Sequence, residues 1–149
     1  MHDYKSRAAL LAAQEAIKSA ERLSKTNLLE RPKIVAVDMD GTILDSKNSE
    51  KLGDPIKGVK EKLDRLKTLG WVVVIWTVRK ETPEILAHLK KHEIPFDYFN
   101  WHPWQPKGAS AKLLADVYVD DRSVAFTGDP KDFNQVLVHK PWWAKKGKA

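Results

Sequence analysis

The segment Asp38-Met39-Asp40-Gly41-Thr42 sets two carboxylates one residue apart, then a glycine and a hydroxyl. It follows an unbroken apolar run, Ile34-Val35-Ala36-Val37. A β-branched run of this kind reads as a strand buried on both faces inside a parallel α/β sheet, and ligands bind at the carboxyl ends of such strands. In extended chain Asp38 and Asp40 would point to one side, while Gly41 lets the backbone turn directly after them. Two acids, a turn and a hydroxyl in that place suit a divalent cation and a phosphate. A second acid pair, Asp120-Asp121, ends the apolar run Val117-Tyr118-Val119. Adjacent acids repel one another unless a cation sits among them, and with Asp38 they make an oxygen-ligand set of the kind Mg²⁺ takes.

The elements that must position these groups follow from apolar spacing. Ala9, Ala13, Ala16, Ala20 and Leu23, with Leu10 and Ile17 alongside, form a helical stripe within residues 4–30, and Pro32 starts an extended segment. A polar stretch without periodicity runs from Asp45 to Pro55. Ile56, Val59, Leu63, Leu66 and Leu69 predict a helix over 56–69 that Gly70 closes. Trp71 to Trp76 is a second buried strand ending at Thr77. A helix over 82–92 takes Thr82 as cap and Pro83 as its first residue. Phe96 to Phe99 reads as a short strand, Asn100 to Gly108 as a loop, Ala109 to Ala115 as a short helix and Val117 to Val119 as a strand. Val124 to Phe126 and Val136 to Val138 are weaker strand signals, the first readable as a strand or a turn. Strands alternating with helices predict a doubly wound parallel α/β sheet. The domain layout is then a helical extension over 1–31, a core over 32–139 and a basic tail over 140–149.

The ordered set of motifs resembles the haloacid dehalogenase superfamily, the aspartate-nucleophile phosphohydrolases, over roughly residues 33–126. The resemblance implies a Rossmann-like core, a phosphatase acting on phosphoric monoesters, and Mg²⁺ as cofactor. It implies that Asp38 is the nucleophile that becomes an aspartyl phosphate, and that Asp40 protonates the leaving oxygen and then activates water. Relatives that cleave carbon–halogen bonds lack the second acid, so Asp40 favours phosphoryl transfer. Thr77 would hold a phosphate oxygen, Thr42 would bind substrate, and Arg79 would contact the rest of it. A lysine offsets the charge around the phosphate; Lys112 is favoured for this and Lys107 competes. For the metal, Asp121 would join Asp38 as a direct ligand, with Asp120 as an outer orienter and the backbone carbonyl of Asp40 as a further ligand.

In that superfamily a cap inserted after the first or second motif often sets specificity. The intervals from Thr42 to Trp71 and from Thr77 to Lys112 are filled by elements the core needs, which predicts a capless, open site. Its cover would come from the loop Trp101 to Gln105 or from the N-terminal helix of a second copy. Without such a cover the site would accept the end of a large substrate such as a polynucleotide; the sequence leaves open a nucleotide, a sugar phosphate, a phosphoprotein or a polynucleotide phosphate end. Trp101 and Trp104 beside His102 either stack a base or sugar or simply cover the core. His88 and His92, at helical spacing, read as surface residues.

The 149 residues make one domain, and 42% hydrophobic with 31% charged residues are the proportions of a soluble globular chain. Absence of cysteine excludes disulfides, a thiolate nucleophile and thiolate zinc sites, and fits a cytoplasmic protein. No targeting segment or membrane span is evident. Much of the +6 charge sits at the end, where His139 to Ala149 holds four lysines and no acid. That tail reads as a solvated terminus or as a nucleic-acid anchor, and the N-terminal helix as packing on the core or pairing with another copy in a homodimer. Two further function classes compete. A phospho-accepting receiver carries its acid pair after the first strand, whereas here the pair comes late. A non-enzymatic nucleic-acid binder would rest on the tail and the loop tryptophans.

Overall fold

The computed structural model describes residues 7–26, 31–46 and 51–146. Four parallel strands, β1 (Ile34–Val37), β2 (Val72–Ile75), β3 (Tyr98–Phe99) and β4 (Val117–Val119), form one sheet in the order β3-β2-β1-β4. Around it lie helices α1 (Arg7–Thr26), α2 (Val59–Thr68), α3 (Pro83–Lys91) and α4 (Trp142–Lys146), with a 3₁₀ helix over Pro130–Leu137. This is the parallel α/β arrangement that the alternation of elements predicts.

All four residues of β1 are buried, as a central parallel strand requires. Side chains alternate across the sheet, so Val35 and Val37 join one core with Leu63 of α2 and Ile85 and Leu89 of α3. Ile34 and Ala36 join the other, with Ala13 of α1, Val74, Tyr98 and Leu113. Each Val, Leu or Ile side chain among these taken fully from water contributes about 1.5–3 kcal/mol. The parallel register Val37↔Val119 sets Asp38 level with Asp120, and Asp38 N donates to Val119 O at 2.9 Å. The sheet thereby brings together two motifs more than eighty residues apart.

Helix ends follow local chemistry. Thr82 caps α3 by accepting from Ile85 N, with Pro83 at the first position. The second helix starts at Val59 rather than Ile56, because Gly58 holds a left-handed φ of 89° just before it. The third strand begins at Tyr98, two residues later than expected. No helix forms over 109–115: Gln105 donates to Lys112 O and accepts from Leu114 N, and Lys112 N turns to Ser110 Oγ, so side chains take the backbone groups a helix would need. Val124 to Phe126 forms no strand, and Val136 to Val138 closes the 3₁₀ segment that Asp129 opens by accepting from Lys131 N. Among the described residues no strand pairs with the outer edge of β4, and Val117 and Val119 are each 45% exposed. No described helix is long and apolar enough to cross a membrane. Residues 4–6 and 27–30 of the expected first helix lie outside the described residues.

Candidate active site

Beyond β1 the chain turns sharply. The amides of Thr42, Ile43 and Leu44 all donate to Met39 O, and Gly41 N donates to Leu44 O at 2.8 Å. Gly41 sits at φ +80°, in the left-handed region. The turn sends the two motif carboxylates apart instead of to one side. Asp38 faces β4, where its carboxylate and those of Asp120 and Asp121 offer oxygens all within 4.8 Å of one another. Asp40 faces the end of β2, where Arg79 grips it with two bonds, Nε to Oδ2 at 2.7 Å and Nη2 to Oδ1 at 2.8 Å. Ser46 Oγ adds a third, to Oδ1 at 2.6 Å. The Asp40 carboxylate therefore stands outside the three-acid cluster.

The cluster is electrostatically loaded. Burial pushes the Asp38 carboxyl up to about 7, and the facing carboxylates of Asp121 and Asp120 push the same way. Asp121 is held below its ordinary value. Burial opposes that, and the Trp143 indole N–H with the carboxyls of Asp38 and Asp120 outweighs it. Thr42 Oγ1 donates to Asp38 Oδ2 at 3.3 Å. Asp121 Oδ1 is buried and has no hydrogen-bond partner among the described residues. A buried carboxylate oxygen left without a donor beside two other acids fits a hard cation with oxygen ligands, and Asp38, Asp120 and Asp121 are the residues that would hold it. A cation held there would compete with the proton for Asp38. An affinity for added Mg²⁺, measured by titration calorimetry, would then fall by up to about tenfold per unit as pH drops below about 7.

Thr77 closes the end of β2. Its amide donates to Asn100 Oδ1 at 2.8 Å, its hydroxyl accepts from Arg79 N at 3.2 Å, and Asn100 Nδ2 donates to Arg79 O. Thr77 thus shapes the turn that presents Arg79, a job shared with Asn100. The two candidate lysines are not brought to the acids by any described contact. Lys112 is exposed, with its amine 5.6 Å from the centroid of the Tyr118 ring, and Lys107 is exposed in the loop. The expected helix that would have carried Lys112 does not form.

The aromatic loop covers the core instead of the site. Trp101 and Trp104 meet Tyr98 edge-on at 5.8 and 6.0 Å and pack with the α1 side of the sheet. His102 is fully buried between them, its Nε2 2.7 Å from Leu114 O while Trp104 N donates to Nδ1. His88 is bound at Nε2 to Gly53 O and meets the ring of His92, so the pair takes part in packing and not in the acid cluster.

What lies against the acids is the C-terminal segment. Trp142 Nε1 donates to Gly41 O at 2.7 Å, Trp143 Nε1 donates to Asp121 Oδ2 at 2.6 Å, and His139 Nε2 lies 3.1 Å from Asp121 O. The Arg122 guanidinium lies 5.4 Å over the Trp143 ring. Sequence reasoning passed over these residues, although two adjacent tryptophans in a lysine-rich tail were a visible signal. A cavity of about 360 Å³ opens here, lined by Gly41, Thr42, Ile56, Val119, Asp120, Asp121 and Trp142. A larger one, about 620 Å³, lies between α1 and the Tyr98–Trp101 side of the sheet; none of the clustered acids lines it.

Comparison with known proteins adds one relationship. The solved structure of a conserved protein from Bacteroides thetaiotaomicron is similar over 80% of this chain and 100% of its own, at 26% identity and a TM-score of 0.53. No family model matches, and no curated protein does. The relationship supports the α/β fold and leaves chemistry to the site itself.

Gly41 is the tightest point of that site. A Cβ there would run into Asp121 Oδ2 and come within 3.0 Å of Trp143 Nε1, in a backbone conformation L side chains rarely adopt. Gly41→Ala is expected to lower stability by about 1–3 kcal/mol and to displace Asp121. Denaturant titration checks the loss of stability.

Proposed function

We propose that this protein is a Mg²⁺-dependent phosphomonoesterase with a capless, doubly wound haloacid dehalogenase-type core, acting through an aspartyl phosphate. The observation that carries the reading is the cluster of Asp38, Asp120 and Asp121 with the buried, unpartnered Asp121 Oδ1 in it. Asp40 stands one turn away on its own support. Separate environments for the two carboxylates support one as the attacking group and the other as the proton-transfer group.

Bound Mg²⁺ would screen the acids from one another and from the phosphate oxygens. Asp38, oriented by Thr42, attacks phosphorus; the Asp38 Oδ–P bond forms as the bond from phosphorus to the leaving oxygen breaks. Asp40 gives its proton to that oxygen. Water then passes a proton to Asp40 and attacks phosphorus, releasing phosphate and the free Asp38 carboxylate. Proton exchange at Asp40 requires its carboxylate to be released by the Arg79 guanidinium. Phosphate oxygens are the acceptor that would draw it, since guanidinium binds phosphate as readily as carboxylate. The Thr77–Asn100 turn keeps Arg79 within reach of both.

The cavity walls suggest the leaving group. Trp142, Ile56 and Val119 offer an apolar and aromatic side next to the acids. A nucleotide-type phosphate, whose base can stack on an indole, fits better than an aliphatic sugar phosphate. The test is phosphate release with Mg²⁺ from a panel of nucleoside monophosphates, phosphorylated oligonucleotide ends, sugar phosphates and an aryl phosphate. Turnover is expected with a preference for base-bearing substrates. No release from any of them, or one lasting phosphorylation without turnover, overturns the reading.

A further inference from the structure

The C-terminal segment reaches the acid cluster through three residues. His139 and Trp143 both meet Asp121, one at its backbone carbonyl and one at its carboxylate, and Trp142 meets the neighbouring turn at Gly41 O. The two carboxylate oxygens of Asp121 are consequently unlike each other. Oδ2 accepts the Trp143 N–H, and Oδ1 is buried without a hydrogen-bond partner among the described residues. A carboxylate fixed at one oxygen loses its rotation about the last side-chain bond and presents the other in a set direction. Metal ligands elsewhere are oriented by such outer partners, whose loss costs 10–100-fold in metal affinity.

Gly41 leaves space for this arrangement, since a Cβ there would meet both Asp121 Oδ2 and the Trp143 nitrogen. Arg122 lies 5.4 Å over the Trp143 ring and adds a cation–π contact to it. An indole is also suited to its place. It donates one hydrogen bond and accepts none, so it cannot itself compete as a metal ligand, and its bulk keeps water from Oδ2.

We propose that Trp143 is a positioning residue for the metal centre: its indole N–H fixes Asp121 so that Oδ1 is directed at the cation, making the tail a working part of the site. This rests on the metal reading given under the proposed function. It assigns the tail a role other than a nucleic-acid anchor.

The experiment is Mg²⁺ titration by calorimetry, without substrate, on the full chain and two variants. Trp143→Phe keeps the ring and removes the donor; Trp142→Phe removes the bond to Gly41 O and leaves Asp121 untouched. Expected is a loss in Mg²⁺ affinity of about 10–100-fold for Trp143→Phe and much less for Trp142→Phe, at melting temperatures close to the parent's. Turnover of Trp143→Phe should recover toward the parent value as Mg²⁺ is raised, because the defect lies in holding the ion. Equal affinity in the parent and Trp143→Phe overturns the inference and leaves the proposed function standing. Equal losses in both variants also overturn it, since the tail would then act only by packing. A parent chain that binds no Mg²⁺ removes the metal reading itself, and this inference with it.

Discussion

Asp38→Asn is expected to lower Mg²⁺-dependent phosphate release from an aryl phosphate by at least about 10⁴-fold. The amide keeps the shape of the side chain and loses both the nucleophilic oxygen and a charge for the cation. Loss of fold does not account for such a result, because the sign of the stability change runs the other way. The Asp38 carboxyl binds its proton more tightly in the folded chain than in the unfolded one, up at about 7 against an ordinary 3.8. Its favourable contribution is therefore full below 3.8 and is lost as pH rises through about 7. At pH 8 without metal, the ionised parent carries three facing carboxylates, and the asparagine variant should melt higher than the parent. Thermal melts with and without Mg²⁺ check this: added Mg²⁺ should raise the melting temperature of the parent and do little for the variant. An Asp38→Asn protein with near-parent turnover removes Asp38 from the role of nucleophile.

Asp40→Asn is expected to separate the two half-reactions. With a good leaving group, attack by Asp38 needs little help from an acid, whereas hydrolysis of the aspartyl phosphate still needs a base. Hydrolysis should slow by about 10²–10⁴-fold, and phosphorylated protein should accumulate and be seen by intact mass. Because Arg79 and Asp40 are only 11% and 18% exposed at their side chains, the variant should also lose about 1–3 kcal/mol of stability. A variant that turns over slowly without any trapped phosphoprotein would count against Asp40 as the base.

The strands, the helix over 83–91 and its cap were legible because apolar spacing, Thr82 and Pro83 are local signals. So was the meeting of Asp38 with Asp120 and Asp121, which needs only that the two apolar runs lie side by side in register. The parting of Asp38 and Asp40 was not legible. Spacing alone puts them on one side, and the turn that separates them is held by three amides converging on Met39 O. Nor was the absence of the helix over 109–115. Its composition favours a helix, and the outcome is decided by Gln105, a side chain seven residues before Lys112 that takes two of its backbone groups. The place of Trp142 and Trp143 was hidden for a different reason. Charge counting described the tail as a basic terminus, while its contact with the site depends on two indole N–H groups and a glycine more than a hundred residues earlier.

His102 gives the protein an acid-sensitive seam far from its carboxylates in chemical character. The ring accepts Trp104 N at Nδ1, so its single proton sits on Nε2 and goes to Leu114 O. A second proton on Nδ1 would break the first bond and place a charge in the apolar layer beneath the tryptophans. Burial accordingly holds this imidazole below its ordinary 6.5. As a base with a lowered value it stabilises the fold above 6.5, and that help drains away as pH falls through its lowered value. Acidification thus relieves the crowded carboxylates while it loosens the aromatic lining around His102. In the ion-free chain the two groups pull stability in opposite directions with pH, and a cation held among the carboxylates would remove the loss on the alkaline side alone.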